Sequence, residues 1–165
     1  KKAFELMVPE LKTYDGVKIS SSRIRNLLNQ GDIVGARECL GRDYMLSGTV
    51  VSGEKLGRKL GYPTANIRLE YDYPLDGVYL TRTLIEGKNY VGLASLGNKP
   101  TFNGSEKILE VFILDFDEDI YSQNIEVYFL EEIRKQIKFS NEDELIKQMN
   151  EDHKYAIINS KKYGI

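Results

Sequence analysis

Gly77-Val78-Tyr79-Leu80-Thr81-Arg82-Thr83-Leu84 and Asn89-Tyr90-Val91-Gly92-Leu93-Ala94-Ser95 stand on either side of Glu86-Gly87-Lys88, two runs rich in β-branched and aromatic residues around a glycine turn. That pattern is a hairpin. Working outward, further extended runs follow with no helix-length amphipathic stretch between them. Upstream, Leu46 to Val51 carries Thr49, Val50 and Val51, and Ile67-Arg68-Leu69 is a short strand before a loop at Tyr71 to Pro74. Downstream, Gly97-Asn98-Lys99-Pro100 reads as a second turn, and the strands Lys107 to Phe116 and Asn124 to Leu130 are joined by the acidic tip Asp117-Glu118-Asp119. Strands connected this way pair antiparallel. About six of them in so small a unit close most economically into a barrel, which leaves no long edge.

The two ends of the chain change period. Residues 3 to 8 read as a strand closed by Pro9, and Asp15-Gly16 as a turn. Ser20-Ser21-Ser22 caps a helix in which Ile24, Leu27 and Leu28 fall at helical spacing and which Gly31 stops; Asp32 caps a second, with Ile33, Ala36 and Leu40 on one side and Gly41 at its end. Residues 20 to 41 are therefore a helical hairpin. At the other end Ser140, with Asp143 three residues on, forms a capping-box variant, and Leu145, Ile146, Met149 and Ala156 trace an apolar stripe towards Gly164.

Bulk composition narrows the function classes. A chain of 165 residues suits one domain, or one plus a fragment. Its formal net charge of -2 argues against a nucleic-acid partner, which needs a basic face. The single cysteine, Cys39, excludes an intrachain disulfide and fits a reducing compartment. No apolar run approaches a membrane span and no signal-type segment precedes the first charges, so the expected location is the cytoplasm, with no membrane partner. The start at Lys1 without Met reads as a fragment of something longer, expected to be monomeric by itself.

The chemistry concentrates between Gly53 and Asn66, read as Gly53-Glu54-Lys55-Leu56-Gly57-Arg58-Lys59-Leu60-Gly61-Tyr62-Pro63-Thr64-Ala65-Asn66. Gly53, Gly57 and Gly61 let the backbone approach a ligand, while Lys55, Arg58 and Lys59 bring donors and positive charge to a polyphosphate. Thr64 and Asn66 offer neutral oxygens to a hard cation. The loop is neither a P-loop nor a dinucleotide fingerprint, and on composition alone it reads equally as a glycine-rich surface turn. A second focus is Glu110 in Ile108-Leu109-Glu110-Val111-Phe112-Ile113-Leu114, where strand parity leaves both faces apolar. It is either a strand Glu paired with a cation such as Lys107, or a partly buried carboxylate, a better proton acceptor near neutrality than a surface one.

Leu60-Gly61-Tyr62 with Pro63-Thr64-Ala65-Asn66 resembles the signature of the riboflavin kinase family. Two further segments resemble that family in the same order: Gly97-Asn98-Lys99-Pro100-Thr101-Phe102 ahead of Leu109-Glu110-Val111, and Arg134 to Phe139, in which Lys135 stands where the family carries proline. The resemblance implies that Thr64 and Asn66 hold the magnesium of ATP, that Gly53, Lys55, Gly57, Arg58 and Gly61 belong to the ATP site, that Glu110 is the base on the ribityl hydroxyl, and that Arg134 and Phe139 contact flavin. Read from residues alone, Ile19-Ser20-Ser21-Ser22-Arg23-Ile24-Arg25 is either serines with Arg23 or Arg25 at a positive helix end that bind a phosphate, or a run of helix caps with solvated arginines; it is similar to a segment near the end of the adenylyltransferase domain of bacterial bifunctional FAD synthetases, where it helps hold nucleotide phosphates. The early His-x-x-His motif of that domain is not in this chain, so adenylyl transfer is not expected of it.

The expected fold is thus mainly β: a small six-stranded antiparallel barrel, split and Greek-key, with a C-terminal α-helix and a short helical hairpin before it. Residues 1–43 are expected to be the remnant of the adenylyltransferase domain and residues 44–165 the kinase barrel. The implied reaction converts riboflavin and ATP into FMN and ADP. The rival is a non-catalytic flavin-binding barrel module, and a single-stranded nucleic-acid barrel is disfavoured by the acidic balance. The lone His153 and the buried-type Cys39 support no metal or nucleophile mechanism.

Overall fold

The computed structural model describes residues 10–53, 56–101 and 104–165. The strand expected over residues 3–8 lies outside them. A two-residue hairpin, β1 (Thr13–Tyr14) and β2 (Val17–Lys18), turns at Asp15 and Gly16, both at positive φ. Then come α1 (Ser21–Asn29) and α2 (Ile33–Leu40). The caps are those read from the sequence: Ser20 accepts from the Arg23 amide, Asp32 from the Gly35 amide, and Gly41 is left-handed. Arg23 itself donates to the carbonyls of Tyr14 and Val17 at 2.6 and 2.5 Å, pinning the small hairpin to α1.

The barrel strands are β3 (Tyr44–Val51), β4 (Thr64–Arg68), β5 (Gly77–Ile85), β6 (Lys88–Thr101), β7 (Gly104–Ile113) and β8 (Asn124–Arg134), closed in the order β3-β4-β7-β6-β5-β8. All neighbours are antiparallel. β3 runs along β8 from Tyr44↔Phe129 to Thr49↔Asn124, but meets β4 only through Val50↔Ile67 and Val51↔Asn66. A short helix, α3 (Leu56–Lys59), lies in the glycine loop, and α4 (Glu142–Ser160) with a 3₁₀ turn at Lys161–Tyr163 ends the chain.

Four local expectations are corrected. β4 begins at Thr64 rather than Ile67, because Thr64 to Arg68 ladder with Phe112 to Ile108, and a cross-strand partner outweighs the weak strand preference of Pro-Thr-Ala-Asn. Residues 97–100 form no turn; β6 continues to Thr101 in register with β7, so pairing overrides the local Gly-Asn-Lys-Pro signal. The Asp117-Glu118-Asp119 segment is not a hairpin tip, since β7 and β8 are not neighbours and the chain crosses the end of the barrel there. The cap of α4 is Asn141, whose side chain accepts from the Glu144 amide while Glu144 reaches back to the Ser140 amide, a capping box shifted one residue from the expected Ser140–Asp143 pair.

Strand alternation separates two apolar layers. Tyr79, Leu109, Val111, Ile125 and Phe129 are fully buried inside the barrel, with the Tyr79 and Phe129 rings edge-on at 5.3 Å. On the outer face Leu80, Leu93, Leu114 and Leu130 pack with Ala156 of α4. The terminal helix therefore covers the barrel from outside, as its apolar stripe implies.

Tyrosines set the alkaline limit. Burial, then the neighbouring Tyr73, pushes Tyr44 up to about 12; burial, then the Glu131 hydrogen bond, does the same to Tyr163. The unfolded chain deprotonates first, so the stability from the neutral phenols is complete below the ordinary tyrosine value of 10 and is lost as pH rises from there towards 12. Urea midpoints followed by circular dichroism should fall over that window; a flat profile contradicts the assignment.

Candidate active site

The Thr64–Arg68 strand places chemistry by parity. Asn66 is opposite Glu110, Thr64 is opposite Phe112, and Ser95 flanks Glu110 from the other side. Residues directly opposed in an antiparallel pair share a face with Cβ atoms about 5 Å apart. Thr64, Asn66, Glu110 and Ser95 therefore form one patch on the outer face, while Ile67, Leu109 and Val111, which alternate with them, fill the barrel interior and are fully buried. Glu110 is half-buried. The second of the two expectations for this acid, a partly buried carboxylate, is what the ladder produces.

Two hollows meet at this patch. The first, of about 290 Å³, is bounded by Gly53, Arg58, Thr64, Asn66 and the crossing segment from Phe116 to Tyr121. The second, of about 320 Å³, is bounded by Gly57, Thr64, Asn66, Glu110, Arg134 and Phe139, with Leu145, Met149 and Asp152 of α4 as its outer wall. Thr64 and Asn66 line both; Glu110 opens only into the second.

The loop glycines have distinct reasons. A Cβ on Gly53 would lie 2.3 Å from Asn66 Nδ2, so a larger residue there would push the Asn66 amide out of its present position. Gly61 is left-handed at φ 86° and turns the chain into Tyr62 and Pro63, but lines neither hollow. Gly57 would meet the Tyr62 carbonyl at 2.3 Å. Lys55 lies outside the described residues.

Arg134 is more constrained than a simple flavin contact. Its Nε is 3.1 Å from both Asp152 oxygens, its Nη2 is 2.7 Å from Oδ2, and its Nη1 donates to the Lys135 carbonyl. Gln148 adds a further donor to Asp152 at 2.9 Å. The guanidinium lies 6.0 Å from the Phe139 ring. Lys135, at the position of the family's proline, makes an ion pair with Glu132 at 2.7 Å. Gln136 donates to the carbonyls of Gly77 and Leu96 and to Ser95 Oγ, fastening this segment to β5 and β6. Sequence reading missed Asp152 and Gln136. Asp152 was accessible, because Leu145, Met149 and Asp152 follow helical spacing along one face; Gln136 carries no such signal.

A cation fits the neutral donors. The Thr64 hydroxyl and Asn66 amide sit two residues apart on one strand face, and Asn66 is only 8% exposed. Among the described residues no group of three or more His, Cys, Asp or Glu forms a metal cage. Such a sparse set of neutral oxygens suits magnesium, which would take most of its ligands from phosphate and water.

The model of the flavokinase family, described as riboflavin kinase, matches residues 40–158. The chain belongs to the riboflavin kinase family. Among curated relatives, the bifunctional riboflavin kinase/FMN adenylyltransferase of Haemophilus influenzae is 40% identical over 155 residues, which are 92% of this chain and 50% of that protein. The Bacillus subtilis protein of the same name is 38% identical over 156 residues, 92% and 49% of the two chains. The chain spans about half the length of the curated relatives it matches. Among solved structures, the riboflavin kinase of Trypanosoma brucei aligns with a TM-score of 0.53 at 25% identity, over 72% of this chain and 80% of that one. A Streptococcus pneumoniae chain named as a macrolide-efflux protein aligns with a TM-score of 0.82 at 38% identity, over 88% of this chain and 49% of its own. Among the described residues of this riboflavin kinase-family chain, no helix is long and apolar enough to cross a membrane.

Proposed function

We propose that the chain transfers the γ-phosphoryl group of ATP to the 5′-hydroxyl of riboflavin, giving FMN and ADP. The observation that carries this reading is the single outer patch on which Thr64 and Asn66 face both hollows while Glu110 faces one. Polyphosphate belongs in the first hollow, beside Arg58 and the glycine loop, and flavin in the second, against Phe139, Leu145 and Met149. The reacting atoms then meet over β4. Glu110 takes the hydroxyl proton as the oxygen–phosphorus bond forms and the bond to the β,γ-bridging oxygen breaks, with ADP leaving. Thr64 and Asn66 would hold magnesium, which when bound neutralises charge on the phosphates. Alignment and charge compensation supply most of the catalysis in such transfers.

The match from residue 40 and the half-length cover of bifunctional relatives support reading residues 1–43 as the tail of an adenylyltransferase domain, followed by the kinase unit. The substrates are small molecules, the fragment works as a monomer, and the buried lone Cys39 suits a reducing cytoplasm. Mixing the protein with riboflavin, ATP and magnesium and separating flavins by chromatography tests the reaction. FMN is the expected product; a flavin-binding module makes none.

Thr64→Ala should weaken magnesium-dependent binding of ATP by about tenfold, the loss of one charge-assisted oxygen contact, while leaving the melting temperature nearly unchanged. Calorimetry with and without magnesium reads this directly, and an unaltered affinity in magnesium would remove Thr64 from the metal's shell.

A further inference from the structure

Tyr62 belongs to three parts of the molecule at once. Its amide donates to the Gly57 carbonyl at 2.8 Å, closing the glycine loop on itself. Its ring lies edge-on to Phe112 at 5.2 Å and near His153 at 6.2 Å, and forms part of the wall of the second hollow. Its hydroxyl donates to Asn150 Oδ1 at 2.6 Å, on α4. The Asn150 amide orientation is fixed by its own donation to the Ile146 carbonyl at 2.9 Å, which leaves Oδ1 as the acceptor.

We propose that Tyr62 is a positioning residue that couples the nucleotide loop to the flavin wall, so that occupancy of either hollow strengthens binding in the other. This rests on the assignment of nucleotide and flavin to the two hollows. Holding the Gly57–Tyr62 segment in one conformation against a bound phosphate costs conformational entropy, and that cost opposes binding. A flavin packed against the Tyr62 ring and the Met149 side of α4 immobilises both ends of the Tyr62–Asn150 bond beforehand. The nucleotide then meets a Gly57–Tyr62 segment already held in place, and by reciprocity the nucleotide helps the flavin equally. The hydroxyl is the separable element: the ring can remain packed on Phe112 without it.

The test is calorimetric titration of the protein with ADP and magnesium, with and without saturating riboflavin; the ratio of the two dissociation constants is the coupling factor. In the wild type it should be about fivefold or more, the lower end of common coupling. Tyr62→Phe and Asn150→Ala should each lower it about threefold, as loss of one net hydrogen bond predicts, and the double variant no further, because both act through one bond. Neither should shift the melting temperature appreciably, which separates coupling from a structural defect. Asn150 lines neither hollow, so its variant should also keep the wild-type affinity for ADP alone. A wild-type protein that makes FMN, with variants that retain its coupling factor, overturns this inference alone. A wild type that makes no FMN overturns the functional reading and this inference together.

Discussion

Glu110→Gln should lower the rate of FMN formation by about 10² to 10⁴, the range for removing a general base, with little change in the Michaelis constants for riboflavin and ATP. The amide is isosteric and keeps its place in the ladder between Asn66 and Ser95, so the pairing that shapes both hollows survives. What disappears is a group able to accept the hydroxyl proton. A base acts as the new bond forms, so the loss falls on turnover rather than on substrate binding. Single-turnover kinetics with a folded variant is the measurement. Turnover within threefold of the wild type would exclude Glu110 as the base and leave it a polar wall of the flavin hollow.

Asp152→Ala should destabilise the fold by about 3 to 5 kcal/mol, the usual cost of leaving one member of a buried ion pair alone. The side chains of Arg134 and Asp152 are 16% and 6% exposed, and the carboxylate is the partner of both Nε and Nη2. Truncation strands the guanidinium in an apolar setting next to Phe139 and also frees the segment after β8 from α4. Urea denaturation reads the stability. A second variant separates stability from site shape: Arg134→Met with Asp152→Leu removes both charges and should recover most of the lost stability, while riboflavin binding stays weak because the wall is remodelled. Full recovery of riboflavin affinity in that double variant would show that the pair does nothing for the site beyond folding the protein.

The barrel was legible because its strands announce themselves by composition: Gly77 to Ser95 needed no partner to be read as a hairpin. The helical hairpin was legible through caps, and Ser20, Asp32 and Gly41 act as read. The errors share a physical origin. Thr64 to Asn66 and Asn98 to Pro100 carry local turn chemistry, yet lie in strands because β7 pairs with both β4 and β6, and such pairing is invisible in a short window. The same pairing brings Asn66 and Glu110, 44 positions apart in sequence, opposite one another. Parity alone showed that Glu110 shares no face with Leu109 or Val111, but not what it faced. Asp152 was passed over because an acid on a terminal helix reads as solvated until the helix is known to lean its Leu145–Met149 face on the barrel.

Strand β4 is a party wall between two rooms, and neither tenant can be rehoused without disturbing the other. Because Thr64 and Asn66 line both hollows, a substitution at either that is meant to change the proposed phosphate donor should also change how the proposed alcohol is presented. With donor and acceptor in the two hollows as proposed, engineering of donor choice belongs on the crossing segment around Phe116 to Tyr121, and engineering of acceptor choice at Leu145 and Met149 of the terminal helix, because each of these groups of residues lines one hollow only.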